Sequence, residues 1–225
     1  ILLRHGEPDW YPGGRDVAVD DAGLTERGRA QASAAAQALS AGRVDAIYAS
    51  PLQRAQETAA PLSKLTGIPV VTVPGLAEIG IGSATGLSQR DVDRYFLEAM
   101  RRPLKEHWQG WPEGESFHDF HARVSKAMGE VLAHHGITPA REHDFTVWEQ
   151  PARPETLVLV AHGGTNSVLL THLLDIRPVP WEWIRFESEL AAYSVVQARP
   201  LGQRGCIWSL IDFNEVDHLR ATGLR

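Results

Sequence analysis

Apolar residues along this chain fall into two patterns. Short unbroken runs alternate with longer stretches in which apolar positions recur every three or four residues. The runs read as buried strands and the stretches as amphipathic helices. Ile1-Leu2-Leu3 ends a first strand, and residues 7–23 follow as a loop with Pro8, Pro12, Gly13, Gly14 and five acidic residues. An alanine-rich helix is predicted from about Leu24 to Ala41, before Gly42. Val44 to Ala49 is a second strand. Ser50-Pro51 then opens a helix to about Thr66, with serine at the N-cap and proline at the first turn. Val70 to Val73 is a third strand, and a glycine-rich loop runs from Gly75 to Gly86. Helices are predicted from Ser88 to about Arg101 and from Glu115 to His135, with a loop over 103–114 between them. Leu157 to Ala161 is a strand and Gly164 to about Leu174 a helix; Ala191 to Ala198 and Cys206 to Phe213 are the last two strands.

This order, β-α-β-α-β-α-α-β-α-β-β, predicts an α/β fold. The expected form is a single-domain three-layer sandwich: a mostly parallel sheet, helices on both faces, and a C-terminal antiparallel hairpin. There is no internal repeat and no linker, so residues 1–225 read as one domain. One stretch fits poorly. Residues 137–156 carry Pro139, Pro151 and Pro154 with no clear period, and read as a loop insertion, a candidate lid that brings Arg141, His143, Trp148 and Arg153.

Composition narrows the function. Apolar residues make up 43% and charged residues 22%, an ordinary globular balance over 225 residues. A net charge of −6 excludes a generally basic nucleic-acid binder but leaves room for a local cationic pocket. The longest apolar run, Leu157 to Ala161, is too short to span a membrane. Cys206 is the sole cysteine, so no internal disulfide and no CxxC pair exists, and a soluble, reducing location, the cytoplasm, is expected. The chain starts at Ile1 rather than methionine, so residues are expected to precede it.

Three basic elements occupy equivalent places. Arg4-His5 follows the first strand, Arg54 lies in the first turn of the helix after the second, and His162 follows Leu157–Ala161. Ligands of open α/β sheets bind beyond the carboxyl ends of the strands. Two arginines and two histidines are thereby expected to converge. The helix start after Ser50 adds backbone N–H groups and a positive dipole end. Gly6, Gly163 and Gly164 allow close backbone approach. A tetrahedral dianion suits such a place, and phosphate is the obvious one. Each piece alone is commonplace; their joint occurrence at strand ends is not.

The residues also carry a resemblance. Leu2-Leu3-Arg4-His5-Gly6-Glu7-Pro8-Asp9-Trp10 resembles the signature of the histidine phosphatase superfamily, the phosphoglycerate-mutase-like proteins. Residues 23–32 are similar to that family's first helix, and Tyr48 to Thr58 to its second motif. Leu76-Ala77-Glu78-Ile79 resembles its acidic motif, Pro112 to Phe117 the start of its later long helix, and Val160 to Thr165 its last motif. The resemblance implies roles. His5 is the expected nucleophile and forms a phosphohistidine. Arg4, Arg54 and His162, with Gly163, hold the phosphoryl oxygens. Glu78 protonates the leaving alkoxide and then takes a proton from water. No metal and no other cofactor is needed.

There are departures. Tyr11 stands where many members have asparagine, and Ala84-Thr85 replaces the usual aromatic–acidic pair. Only residues 79–114 separate Glu78 from Glu115, whereas mutases of the family carry a long insertion there, so hydrolysis is favoured over transfer. The expected function is metal-independent hydrolysis of a small phosphorylated metabolite. A phosphoglycerate-type mutase and a non-catalytic phospho-ligand-binding domain are the alternatives. Trp10, Tyr11 and Thr25 are candidate substrate-pocket residues, and Trp108 and Trp111 are further candidates for an apolar wall. Trp181 and Trp183 read as core or interface, and a homodimer is the expected assembly if any. His118 and His121 have metal-ligand spacing but no third ligand, and so read as packing or solvated residues.

Overall fold

A computed structural model describes residues 1–14, 20–82 and 85–225. In chain order the elements are β1 (Leu2–Arg4), α1 (Glu26–Ser40), β2 (Ala46–Ala49), α2 (Gln53–Thr66), β3 (Val70–Thr72), α3 (Gln89–Met100) and α4 (Phe117–His134). There follow β4 (Pro139–Glu142), β5 (Phe145–Trp148), β6 (Leu157–Ala161), α5 (Gly163–Leu173), α6 (Glu182–Arg185), β7 (Tyr193–Pro200), β8 (Cys206–Glu215) and α7 (Asp217–Arg220). All eight strands join one sheet in the order β3-β2-β6-β1-β7-β8-β5-β4.

The first four strands of that order are parallel; the rest pair antiparallel. Successive side chains on a strand point to opposite faces, and the burial follows that rule. Leu3, Ile47, Ala49, Val158 and Val160 pack with Ala35, Leu39, Ala59 and Leu62 of α1 and α2. Their neighbours Leu2, Tyr48, Leu159 and Ala161 pack with Phe120, Val124 and Leu169 of α4 and α5. The three layers and the C-terminal β7–β8 hairpin are as the sequence pattern predicts.

Two local expectations are corrected. The 137–156 stretch is not a loop or a lid. Its middle is the β4–β5 hairpin, which extends the sheet through Trp148↔Cys206 and makes β4 the far edge from β1. Period 2 is hidden because β4 is exposed along its whole length, as an edge strand is, while β5 buries only Val147 and Trp148. Pro139 sits at the first position of that edge strand, where a missing N–H costs no ladder bond. Arg141, His143 and Arg153 do not line the cleft described below, and Trp148 is core. The second correction concerns Ser50, which is not the N-cap of α2. That position is Leu52, with no side-chain cap, and Asp21 instead accepts from Gln53 N–H at 2.8 Å.

Candidate active site

The parallel register fixes the geometry. Arg4 pairs with Ala161 and Ala49 with Val160. The chain leaving β1, β6 and β2 therefore emerges from three adjacent strands at one level. His5 and His162 are each one residue past such an end. Their ring centroids lie 5.1 Å apart, close to the spacing of neighbouring strands.

His5 is tied on both sides by its backbone: its N–H donates to Ala161 O at 3.0 Å, and its carbonyl accepts from Ala191 N–H at 3.0 Å. Its Nδ1 lies 2.7 Å from Gly6 O. A carbonyl only accepts, so Nδ1 carries the proton and Nε2 keeps the lone pair. Burial, with Arg54 and Arg4 close by, pushes His5 down to about 3. The ring is thus neutral in ordinary buffers, with a free Nε2 lone pair, which is the form a nucleophile needs. The turn after His5 is pinned by helix α1: a Cβ on Gly6 would strike Gly28 O, and Glu7 N–H donates to Gln31 Oε1. The glycine that the sequence offered for phosphate approach is thus required for helix approach.

His162 is fully buried. Burial is the main cause that drives its pKa well below the ordinary value, with His5, Arg54 and Arg4 adding to it. Its Nε2 lies 2.7 Å from the Ser50 hydroxyl, which also accepts weakly from Leu52 N–H. If Ser50 donates to Nε2, the proton of His162 sits on Nδ1, and Nδ1 has no partner. Three more buried donors lack partners: Arg4 Nε, Arg54 Nε and Arg54 Nη1. A buried donor without an acceptor costs about 1–3 kcal/mol, more when charged. The three arginine N–H groups are donors whatever the tautomer of His162, and their open positions could be met by an oxyanion.

The arginines keep their charge there. Burial lowers both, and the fields of Glu78 and a second acid, Glu187 for Arg4 and Asp21 for Arg54, oppose that fall. Neither makes an ion pair within 4 Å among the described residues. Arg54 is only 5% exposed, and the Trp10 ring lies over its guanidinium at 4.9 Å. Arg4 donates through Nη1 to Ser188 O.

Glu78 is held from two directions. Its Oε1 accepts from Ile79 N–H at 3.0 Å and its Oε2 from Gly164 N–H at 2.9 Å. A Cβ on Gly164 would sit 2.6 Å from Oε1, so glycine is required for this approach. Behind it, Arg123 of α4 donates to Gly75 O at 2.9 Å and Ala77 O at 3.0 Å and pairs with Glu115 at 2.6 Å. That clamp fixes the segment that carries Glu78.

Arg4, His5, Arg54, Glu78 and Gly163 line one cleft of about 860 Å³, with Trp10 at its wall; buried His162 lies against His5. Thr25 does not line it. Thr25 caps α1, accepting from Gly28 N–H at 2.9 Å and donating to Glu7 Oε1 at 2.7 Å, so its hydroxyl is already used. Tyr11 is also absent from the lining; it leads into the 3₁₀ turn Pro12–Gly14, and Trp10 takes the place over Arg54. Of the loop tryptophans, Trp111 joins the cleft, whereas Trp108 stacks on His118 at 4.3 Å and does not. His121 approaches Glu182 at 3.9 Å, and both histidines pack around Trp108. Ala84 lies outside the described residues.

Sequence reasoning missed Ser50 as a partner of His162. It also missed Phe96, Met100, Trp183 and Glu187 as cleft residues. The Ser50-Pro51 pair was visible but has two readings. The others come together only through tertiary packing.

Fold and site together describe an α/β protein in which two histidines and two arginines gather beyond the carboxyl ends of adjacent parallel strands. Residues 1–139 match the family described as histidine phosphatase superfamily (branch 1), and the chain belongs to that superfamily. It is 32% identical over 200 residues to phosphoserine phosphatase 1 of Hydrogenobacter thermophilus, covering 87% of this chain and 84% of that protein. It is 33% identical over 179 residues to a 2,3-bisphosphoglycerate-dependent phosphoglycerate mutase of Bartonella quintana, covering 77% of this chain and 80% of the mutase. The solved structure of a mycobacterial glucosyl-3-phosphoglycerate phosphatase with VO3 superposes with a TM-score of 0.69 at 29% identity, over 95% of this chain and 97% of that one.

Proposed function

We propose that the chain hydrolyses small phosphomonoesters through a phosphohistidine on His5, without a metal ion. The observation that supports this most is the set of three unpartnered buried arginine N–H groups beside a neutral His5. In the first step the Nε2 lone pair attacks phosphorus. The N–P bond forms as the P–O bond to the alcohol breaks, and Glu78 gives its proton to the leaving oxygen. In the second, water attacks the phosphohistidine, Glu78 takes the water's proton, and the N–P bond breaks to release phosphate. Arg4, Arg54 and His162 meet the three equatorial oxygens, which is the charge-spreading work a divalent cation does elsewhere. Cys206, buried and unpaired, suits a reducing compartment such as the cytoplasm.

A mutase among the relatives is the reason to weigh transfer. A bisphosphate needs cations for its second phosphate, and among the described residues the cleft offers no lysine and no arginine beyond Arg4 and Arg54. Hydrolysis is the better reading. Phosphate release from a panel of phosphomonoesters, with EDTA present, tests it. EDTA-resistant release that disappears in His5→Ala supports it. Isomerised ester with no free phosphate, or release that EDTA stops, overturns it.

A further inference from the structure

Resting on the phosphatase reading above, we propose that the alcohol half of the substrate is an uncharged apolar or aromatic group rather than one that bears a carboxylate. The cleft of about 860 Å³ is much larger than a phosphoryl group and falls in the range of small-molecule pockets. The phosphate uses its cations. Among the described lining residues these are Arg4 and Arg54, and both already surround His5.

The rest of the wall is of another chemistry. Phe96 and Met100 of α3, Trp111, and Trp183 of α6 all line it. Phe96 and Trp111 have centroids 5.6 Å apart, and Trp111 and Trp183 5.9 Å apart, so the three rings form one continuous aromatic surface. Trp111 is buried, Phe96 and Trp183 are half-buried, and Met100 is 45% exposed, so apolar surface remains for a ligand to cover. Among the described lining residues the remaining charge is acidic: Asp20, Glu78 and Glu187. Glu187 lines the cleft close enough to Arg4 for its field to be felt there. A carboxylate on the alcohol, as in phosphoserine or 3-phosphoglycerate, would meet aromatic rings and a like charge and, among the described residues, find no further cation for its oxygens. A phenyl or alkyl group would lose only its contact with water.

The test compares esters whose leaving alcohols are all alkyl: ethyl phosphate, 2-phenylethyl phosphate, O-phosphoserine and 3-phosphoglycerate, with p-nitrophenyl phosphate as a check on turnover. 2-Phenylethyl phosphate is expected to exceed ethyl phosphate in kcat/KM by at least about tenfold, from burial of one ring, and to exceed both carboxylates. Trp183→Ala brings the phenylethyl-to-ethyl ratio toward one. Met100→Glu, at an exposed position that the fold tolerates, lowers the same ratio. Glu187→Arg raises 3-phosphoglycerate relative to ethyl phosphate. A carboxylated ester equal to or better than 2-phenylethyl phosphate, or a ratio unmoved by both wall variants, overturns the inference and leaves the phosphatase reading standing. No release from any ester, p-nitrophenyl phosphate included, overturns the phosphatase reading and the inference with it.

Discussion

Gly164→Ala isolates the role of Glu78 without touching its side chain. The new methyl would lie 2.6 Å from Glu78 Oε1, 0.8 Å short of the 3.4 Å at which ordinary contact begins, and 3.2 Å from both Cδ and Oε2. Gly164 is the second residue of α5, so its backbone is held by the helix and the carboxyl group must move. A shift approaching 1 Å at a reacting group costs about 10²-fold, or roughly 3 kcal/mol of transition-state stabilisation. The fold itself loses little, because the obstructed atoms end a side chain and alanine favours a helix over glycine by up to about 1 kcal/mol. At 225 residues that keeps the melting temperature within about 4 °C. Leaving-group dependence is the diagnostic. An alkyl ester needs a proton on its leaving oxygen, so its kcat falls by the full factor. p-Nitrophenolate leaves without one, so phosphorylation of His5 survives while attack of water slows. The variant therefore shows a burst of nitrophenol, about one per enzyme, before a slow steady rate. Stopped-flow absorbance and a thermal melt read both quantities. An alkyl-ester kcat within a factor of about three of the parent, in a folded variant, would refute the acid role of Glu78.

Three further outcomes follow from the same geometry. Arg54→Lys keeps the charge but loses the planar fork, and is expected to lower kcat/KM about 10²-fold or more and to weaken inhibition by vanadate, read from steady-state kinetics. Arg123→Met removes the donors to Gly75 O and Ala77 O; it should cost about 1–3 kcal/mol in urea unfolding and lower kcat, because the segment carrying Glu78 is no longer held. Acid should destabilise the protein. His5 takes a proton at about 3 when folded and near 6.5 when unfolded, and His162 is shifted in the same direction. The unfolded chain therefore binds more protons between those values, so stability is full above about 6.5 and falls as pH drops toward 3. For His5 the loss by pH 5 is about 2 kcal/mol. His5→Asn should shrink the fall in urea midpoint between pH 7 and pH 5, and an unchanged fall contradicts the assignment.

Much of this arrangement was legible in the sequence because it is local. The runs at Leu2-Leu3, Ala46–Ala49 and Leu157–Ala161 are buried on both faces, so they read as parallel strands, and strand ends place Arg4, His5, Arg54 and His162 in any open α/β sheet. Glu78 was legible only through its motif, since nothing in a loop carboxylate announces that Gly164 N–H will hold it. What escaped depends on contacts distant in sequence. The β4–β5 hairpin buries so few residues that no period shows. Ser50 resembles a helix cap until Leu52 is seen in that place and His162 is seen beside it. Phe96 of α3, Trp111 of the loop before α4 and Trp183 of α6 are distant in sequence, and each alone looks like ordinary core.

Everything proposed for this cleft turns on a covalent bond between phosphorus and His5. Rapid mixing of the protein with a phosphomonoester, a quench in alkali, where phosphohistidine survives, and peptide mapping by mass spectrometry test it most directly. One phosphoryl group is expected on the peptide that contains His5, formed within the first turnover and absent from His5→Ala. Turnover at full rate with no phosphorylated His5 at any quench time, or a phosphoryl group on another residue, would contradict it.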